Sequence, residues 1–228
     1  MLIDILSLFP EYFRGPFDVS ILKKAQESGI IEINQVDIRC FSKNKHHKTD
    51  DRPFGGGPGM VLMPQPTVDA IRSCKREDSH VIYLSPQGKK LDAAMCQRLA
   101  IHSHLVLVCG HYEGLDERVI EKEIDEEISI GDYVLTNGCL SAIVLLDAVA
   151  RFIPGVLGNE EAAKYDSFQN GIFDAPHYTR PVEFEGMQVP EVLRNGNHSQ
   201  IREWRQNQAL KKTIRVRPDL IEGLKERK

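Results

Sequence analysis

With 228 residues, the chain can bury a full hydrophobic core and form one large domain or two modest ones. Hydrophobic residues make up 41% and charged residues 27%, the fractions of an ordinary globular protein. The five cysteines are odd in number and none forms a Cys-x-x-Cys pair, which argues against a disulfide framework or a zinc ribbon.

The formal net charge of −4 is unevenly distributed along the chain. Residues 194–228 contain ten Lys and Arg against four Asp and Glu, and a second basic cluster, KNKHHK, spans residues 43–48. Basic tails are often only solvated surface, and the alternative is contact with a polyanion. The charge pattern leaves both interpretations open.

The N-terminal sequence MLIDILSLFPEYF lacks a basic flank and is interrupted by Asp4. This pattern predicts a buried strand instead of a signal peptide. No apolar run approaches the length needed to span a membrane. We therefore expect a cytoplasmic protein with no membrane partner.

Apolar runs that alternate with amphipathic segments predict an α/β domain with a parallel sheet. Residues 105–109 are apolar at every position, as expected for a strand covered on both faces. The predicted strands are residues 3–9, 30–38, 81–85, 105–110 and 128–135. The predicted helices are residues 64–75, 91–101 and 140–152, of which the last is apolar almost all round and therefore expected to be buried.

Two further regions are predicted beyond the α/β domain, which we expect to end near residue 158. Residues 159–190 are rich in Gly, Pro, Asp and aromatics with little periodicity, which indicates a linker or a mobile active-site loop. A helix is predicted to begin with Asn197 as its N-cap and Gln200 three residues later. The basic residues that share one face of this helix are Arg202, Arg205 and Lys212.

The glycine-rich run RPFGGGPGM, residues 52–60, invites interpretation as a phosphate loop. Counting from Gly55, Met60 occupies the place of the third glycine of a dinucleotide fingerprint, and the chain has no Gly-Lys-Ser/Thr of a Walker A loop. The run does not sit tightly between a strand and a helix as a βαβ unit requires. A flexible loop is the better interpretation, and a nicotinamide-dependent dehydrogenase is disfavoured.

Three segments lie at the exits of predicted strands: SPQGKKLD (85–92), CGHYEG (109–114) and IGDYVLTNG (130–138). Ligands of parallel α/β sheets bind beyond the carboxyl ends of the strands. Gly or Pro in each segment permits close approach to the backbone. One such segment alone is an ordinary turn, but three together favour a ligand recognised mainly by backbone groups, such as an adenine.

These segments belong to a set of blocks that resembles the bacterial tRNA (guanine-N(1)-)-methyltransferases, which methylate guanosine at tRNA position 37 with S-adenosylmethionine. The resemblance covers essentially the whole chain. The blocks that carry it are LFPEYF, DDRPFGGGPGM, YLSPQGKKLD, LVCGHYEGLDERV, IGDYVL, RFIPGVLG, DSF, PHYTRP, GNH and IREWR.

The resemblance implies the SPOUT fold, a parallel α/β domain with a deep C-terminal trefoil knot, here residues 1–158. It further implies a flexible interdomain linker with a catalytic loop, residues 159–190, and a helical tRNA-binding C-terminal domain, residues 191–228. The partners that it implies are tRNA with guanosine at position 37 and a second copy of the chain. In this homodimer the active site lies at the subunit interface.

The resemblance also assigns roles to individual residues. It makes Asp166 the general base that removes the proton of guanine ring nitrogen 1, and Arg151 the cation that stabilises the charge left on the carbonyl oxygen. The alternatives are a loop aspartate that caps a short helix and an ion pair of Arg151 with Asp147. The implied cofactor-binding residues are Tyr83, Leu84, Ser85, Pro86, Gly110, Glu113, Ile130, Gly131, Asp132, Tyr133, Val134, Leu135 and Gly138. The implied tRNA-binding residues are Asp50, Arg52, His177, Asn197, His198, Arg202 and Arg205.

The resemblance implies dependence on Mg²⁺, but no carboxylate cluster in the sequence indicates its ligands. Glu113 is expected to face the cofactor or the target base and to take part in magnesium binding, with surface solvation as the alternative. The chain departs from the family pattern near the cofactor: His111 stands where arginine is also common. Asn137, Cys139 and Ser141 replace the Gly, Glu and Pro of a GGELP run, so cofactor affinity is expected to change more readily than the chemistry.

Three other functions are weighed against this one. Another SPOUT RNA methyltransferase is disfavoured because the Asp166 and Arg151 pair suits a ring nitrogen that carries a proton. A catalytically inactive RNA-binding module is disfavoured by the intact blocks at Gly110 and residues 130–135. A dinucleotide oxidoreductase lacks its fingerprint.

Overall fold

The structure, a computed structural model, describes residues 1–158 and 165–226. The chain divides into two compact units, Met1–Gly158 and Asn159–Lys228. Of the region predicted as a linker, residues 159–164 lie outside the described part. Within the described ranges, no helix combines the length and apolar character needed to cross a bilayer.

The first unit contains a five-stranded parallel sheet in the order β2-β1-β6-β5-β7. Its strands are β1 (Leu2–Ser7), β2 (Glu32–Asp37), β5 (Ser79–Lys90), β6 (His104–Cys109) and β7 (Glu126–Ser129). Two short strands, β3 (Asp50–Asp51) and β4 (Val61–Leu62), form a separate antiparallel pair. The helices are α1 (Ser20–Glu27), α2 (Pro64–Cys74), α3 (Ala93–Leu99), α4 (Glu117–Glu123) and α5 (Cys139–Ala150). The predicted α/β class with a parallel sheet is confirmed.

Helices cover both faces of the sheet, and successive strand residues point to opposite sides as the pleat requires. On β6, Leu105 and Leu107 belong to the core beneath α1, α3 and α5, while Val106 and Val108 belong to the core beneath α2 and α4. Every residue of this strand is buried. The continuous apolar run therefore predicted its central position correctly.

The predicted strand at residues 128–135 is wrong beyond Ser129. The hydroxyl of Ser129 donates to the carbonyl oxygen of Gly131 at 3.0 Å and accepts from the amide of Gly131 at 3.2 Å. The amide of Tyr133 then donates to the same carbonyl at 2.9 Å. These local bonds turn the chain away from the sheet, so residues 130–138 form a loop.

Within residues 165–226, the second unit contains a two-stranded hairpin, β8 (Glu183–Phe184) with β9 (Met187–Gln188), and two α-helices. These are α6 (His198–Val216) and α7 (Pro218–Glu226). Asn197 is the N-cap of α6 as predicted, because its side-chain oxygen accepts from the amides of Ser199 at 3.2 Å and Gln200 at 3.3 Å. Such a cap satisfies amides that the first turn of a helix leaves unpaired.

Candidate active site

A cavity of about 260 Å³ lies at an interruption of β5 and beyond the carboxyl ends of β6 and β7. This volume is close to the lower end of the range for small-molecule sites, about 300–1,000 Å³. Its walls come from residues 83–87, 110–114 and 129–138, with Asp132 excepted, together with Ser141. The three strand exits singled out in the sequence therefore meet at one place.

The first wall is an interruption in strand β5. Leu84 and Lys89 both stand opposite Ile128 of β7, so the four residues between them leave the ladder. Gly88 must be glycine here, because a Cβ would collide with the backbone of Glu127. The excluded residues that line the cavity are Ser85, Pro86 and Gln87.

The second wall forms where the loop after β7 returns to the end of β6. The Gly138 amide donates to the Gly110 carbonyl oxygen at 2.8 Å, and His111 pairs with Asn137 in an antiparallel bridge. A Cβ on Gly138 would come within 2.9 Å of the Gly110 nitrogen. Glycine at position 138 thus allows this close backbone contact, whereas a Cβ on Gly110 would meet the ring of Tyr83.

The charges around this cavity favour a neutral or cationic ligand. Among its lining residues, all of which are described, Glu113 is the one acidic side chain, and neither Lys nor Arg is present. Ring surface comes from Tyr83, whose burial raises the pKa of its hydroxyl, and from the half-exposed Tyr133. A wall of aromatic rings, glycines and backbone suits an adenosyl group, whereas a phosphate would find neither Lys nor Arg.

The structure places twelve of the thirteen predicted cofactor-binding residues on this cavity. The exception is Asp132, whose exposed carboxylate accepts from Lys90 Nζ at 2.6 Å. Ser129 and Ser141 also line the cavity and were not singled out in the sequence as cofactor-binding residues. Ser141 could have been found from its place in the first turn of α5, one turn from the glycine pair.

Two of the departures from the family pattern shape the start of α5. The side-chain oxygen of Asn137 accepts from the amide of Cys139 at 2.9 Å, and Asn137 itself lines the cavity. Cys139 is completely buried and does not line the cavity. Arg151, the predicted cation, directly follows α5 and is exposed.

A second cavity, of about 590 Å³, lies within the C-terminal unit. It brings together the predicted base Asp166 and three predicted tRNA-binding residues, namely His177, Arg202 and Arg205. His177 Nε2 lies 2.7 Å from Asp174 Oδ2 at the same cavity. Aromatic and apolar surface is supplied by Tyr165, Phe173 and Ala209. This mixture of cations, carboxylates and apolar surface suits a nucleobase with its phosphates.

The other predicted tRNA-binding residues line neither of these cavities. Asp50 pairs with Leu62 in the β3–β4 hairpin, and the exposed Arg52 follows that strand. Asn197 caps α6 and His198 is its first residue.

The described residues do not assemble a metal site. Within 1–158 and 165–226, no group of three His, Cys, Asp or Glu side chains could hold a metal ion. The predicted use of Mg²⁺ therefore stays a prediction without ligands.

The comparisons with known proteins agree with the resemblance seen in the sequence. Residues 1–223 match the family described as tRNA (Guanine-1)-methyltransferase TrmD. A tRNA (guanine-N(1)-)-methyltransferase of Protochlamydia amoebophila is 63% identical over 221 residues, which cover 97% of this chain and 100% of the relative.

Two further relatives carry the same name. The Dictyoglomus turgidum protein is 54% identical over 96% of this chain and 89% of its own length. The Chlamydia pneumoniae protein is 57% identical over 96% of this chain, but the match spans 61% of that longer relative. With matches over nearly its full length, the chain belongs to the tRNA (guanine-1)-methyltransferase TrmD family.

Proposed function

We propose that this chain transfers the methyl group of S-adenosylmethionine to ring nitrogen 1 of guanosine in tRNA, and that its target is position 37. The observation that carries the proposal is the glycine-walled cavity at the strand ends, found in a chain of this family. Because a single carboxylate and neither Lys nor Arg lines it, the cavity suits an adenosyl ligand that carries a sulfonium.

The residues that would hold the cofactor are those of the three walls. Backbone groups of residues 110 and 130–138 would contact the adenosyl part, with the ring of Tyr83 behind Gly110. Glu113 would face the positive end of the ligand. When bound, S-adenosylmethionine supplies an already activated methyl group, so the protein needs no nucleophile of its own.

Ring nitrogen 1 of guanine carries a proton at neutral pH, so its methylation requires a base. Asp166 takes this proton, and Arg151 stabilises the negative charge that develops on the exocyclic carbonyl oxygen. The remaining task is to hold donor and acceptor in line. Support for Asp166 comes from its place in a cavity that also contains Arg202 and Arg205.

The tRNA would be held by charge and the target base taken out of its stack. Arg202 and Arg205 are exposed on α6 and line the Asp166 cavity, which suits phosphate contacts next to an extruded base. Asp50, Arg52, His177, Asn197 and His198 complete the proposed RNA-binding set.

The trefoil knot and the homodimer belong to this proposal as well. Pairing of residues 110–111 with 137–138 brings the loop before α5 against the end of β6, as a knotted chain would need. Exposed apolar side chains on α5, Leu140 and Val144, support a subunit interface. The knot of one subunit would face Asp166 of the partner copy, and sedimentation at micromolar concentration would test the dimer.

The deciding experiment measures methyl transfer from labelled S-adenosylmethionine to unmodified tRNA with guanosine at position 37. We expect N(1)-methylguanosine at that position, transfer abolished in Asp166→Ala, and S-adenosylhomocysteine binding retained by the variant. Asp219→Asn is the matched control, since Asp219 is an exposed carboxylate of the same unit and pairs with Arg217.

Each alternative outcome has a definite meaning. Transfer to a transcript with adenosine at position 37 would contradict the proposed target. Cofactor binding without any transfer would indicate an RNA-binding module or another RNA target. Full activity of Asp166→Ala would exclude Asp166 as the base.

A further inference from the structure

Two cysteines lie directly beneath the cavity formed by the strand exits. Cys109 is the last residue of β6 and Cys139 is the first residue of α5. Both are completely buried, and neither lines the cavity itself. Their neighbours in the chain, Gly110 and Gly138, do line it.

The backbone register places the two cysteines opposite each other. His111 pairs with Asn137 in an antiparallel bridge, and Gly138 donates to Gly110 in the next position. One further step brings Cys139 opposite Cys109. The two side chains are also hydrogen-bonded to each other, so their sulfurs lie close enough for a disulfide to form with little movement.

The surroundings favour an ionised thiol at Cys139. Its Sγ lies 3.1 Å from Ser7 Oγ and 3.9 Å from His111 Nε2, and it begins a helix of 12 residues. The hydrogen bond from the Cys109 thiol lowers the pKa of Cys139 and burial raises it; with the further bonds to His111 and Ser7, the pKa stays below its usual range. Burial, and next the interaction with Cys139, raise the pKa of Cys109. These contacts make Cys139 the expected nucleophile of the pair and Cys109 its hydrogen-bond donor.

We propose that Cys109 and Cys139 form a reversible oxidation site, at which a peroxide links the two sulfurs as a disulfide and thereby weakens binding in the adjoining cavity. The linkage itself is independent of the methyl-transfer reaction. Only its effect on ligand binding rests on the proposed function, because that effect needs an adenosyl ligand in the cavity.

The chemistry balances in two steps. The Cys139 thiolate attacks one oxygen of the peroxide, the O–O bond breaks, and Cys139 becomes a sulfenic acid. The alkoxide or hydroxide that leaves takes up the proton that Cys139 had released and departs as an alcohol or water. The Cys109 sulfur then displaces hydroxide from Cys139, which forms the S–S bond and releases water. The two thiols lose two electrons and two protons, and the peroxide is reduced.

The linkage would act on the cavity through the two glycines. Gly138 already approaches Gly110 so closely that a Cβ would not fit. A bond between the residues next to them would draw β6 and the start of α5 together and change the spacing of this wall. In the other direction, a bound ligand would cover Gly110 and Gly138 and slow the oxidation.

The test uses the full-length chain, treated with hydrogen peroxide or with dithiothreitol. Intact mass and peptide mapping should show loss of two hydrogens and a peptide linked through Cys109 and Cys139. Titration with S-adenosylhomocysteine should show binding about tenfold weaker in the oxidised protein and restored by dithiothreitol. Saturating S-adenosylhomocysteine should slow the linkage.

The controls separate this site from general thiol oxidation. Cys139→Ser should abolish the linked peptide, whereas Cys40→Ser, which removes an exposed cysteine, should leave it unchanged. Peroxide that only adds oxygen to Cys40, with no linked peptide in the wild type, would overturn the proposal. A linked protein that binds S-adenosylhomocysteine as tightly as the reduced protein would overturn the coupling to the cavity. Neither readout requires tRNA, so failure here is distinct from failure of the proposed methyl transfer.

Discussion

The amide of Gly138 donates a 2.8 Å hydrogen bond to the carbonyl oxygen of Gly110, which joins the start of α5 to the end of β6. A Cβ on Gly138 would lie 2.9 Å from the Gly110 nitrogen and 3.0 Å from the Cys109 Cα. Because both neighbours are backbone atoms, neither can move aside as a flexible side chain would. Both glycines line the cavity, so a change in this contact would alter the cavity wall as well as the local packing.

We therefore expect Gly138→Ala to lower the free energy of unfolding by about 1–3 kcal/mol, the usual cost of overpacking. S-adenosylhomocysteine binding should weaken in the same variant, since the wall must shift. Urea denaturation measures the first effect and titration calorimetry the second. Gly158→Ala is the control because a Cβ there meets nothing within 4 Å. If both variants lost the same free energy of unfolding, steric crowding at Gly138 would not be the cause.

A set of hydrogen-bonded polar side chains, at the end of the sheet opposite the cavity, should contribute to stability. His104 Nε2 lies 2.8 Å from Asp4 Oδ2, and its Nδ1 lies 2.7 Å from Ser79 Oγ. Asn34 donates to the other Asp4 oxygen at 3.0 Å. Asp4→Ala would leave buried polar groups without a partner and should cost about 3 kcal/mol in urea denaturation. Asp78→Ala removes an exposed carboxylate near the same end, and an equal loss there would argue against a special role for Asp4.

The carboxylate of Glu126 should make stability depend on acid pH. Burial raises the pKa of this carboxyl group, but the hydrogen bonds from Arg98 and His80 together lower it by more. The pKa in the folded protein is therefore below the ordinary value of 4.5. Between the folded and unfolded pKa values, the unfolded chain binds more protons. Stability from this group is therefore present above pH 4.5 and lost as pH falls through the folded-state pKa.

Glu126→Gln should accordingly reduce the free energy of unfolding at about pH 7 and have a smaller effect at about pH 3. Urea denaturation at the two pH values measures this difference. Arg98 is the main charged partner of Glu126. In a protein that already carries Arg98→Met, Glu126→Gln should therefore cause little further loss in the free energy of unfolding. A pH-independent loss would show that Glu126 acts through packing alone.

The salt dependence of tRNA binding should show whether the cationic side chains of α6 contact phosphates. Removing one cation that binds a phosphate should lower the slope of log affinity against log salt, by about 0.7 for a single-stranded region and about 0.9 for a duplex. We expect this reduction for Arg202→Ala and for Arg205→Ala in filter-binding titrations. Arg217→Ala is the matched control, because Arg217 pairs with Asp219 at 2.7 Å. Unchanged slopes for all three variants would show that neither Arg202 nor Arg205 contacts a phosphate of the tRNA.

Strand positions and the cavity could be predicted from the sequence for different reasons. The continuous apolar run of residues 105–109 follows from burial on both faces, so periodicity alone located β6. Gly and Pro at three strand exits predicted a ligand-binding site at this place. The individual cofactor-binding residues were predicted from the family resemblance.

The loop at residues 130–138 escaped prediction because Ile130, Tyr133, Val134 and Leu135 have the side chains of a strand. In the structure Val134 is 82% exposed, since the hydroxyl of Ser129 closes a turn that overrides local propensity. The pairing of Cys109 with Cys139 could not be foreseen either. It depends on a register set by contacts between segments 28 residues apart.

The interruption of β5 has a consequence for how this protein can diverge. Strand pairing with β7 resumes at Lys89, so the wall of Ser85, Pro86 and Gln87 is anchored at both ends by one neighbouring strand. Replacing those three side chains removes no ladder hydrogen bond, whereas Gly88 is fixed by the backbone of Glu127. Ligand preference can therefore change at three adjacent positions while the sheet that carries them stays intact.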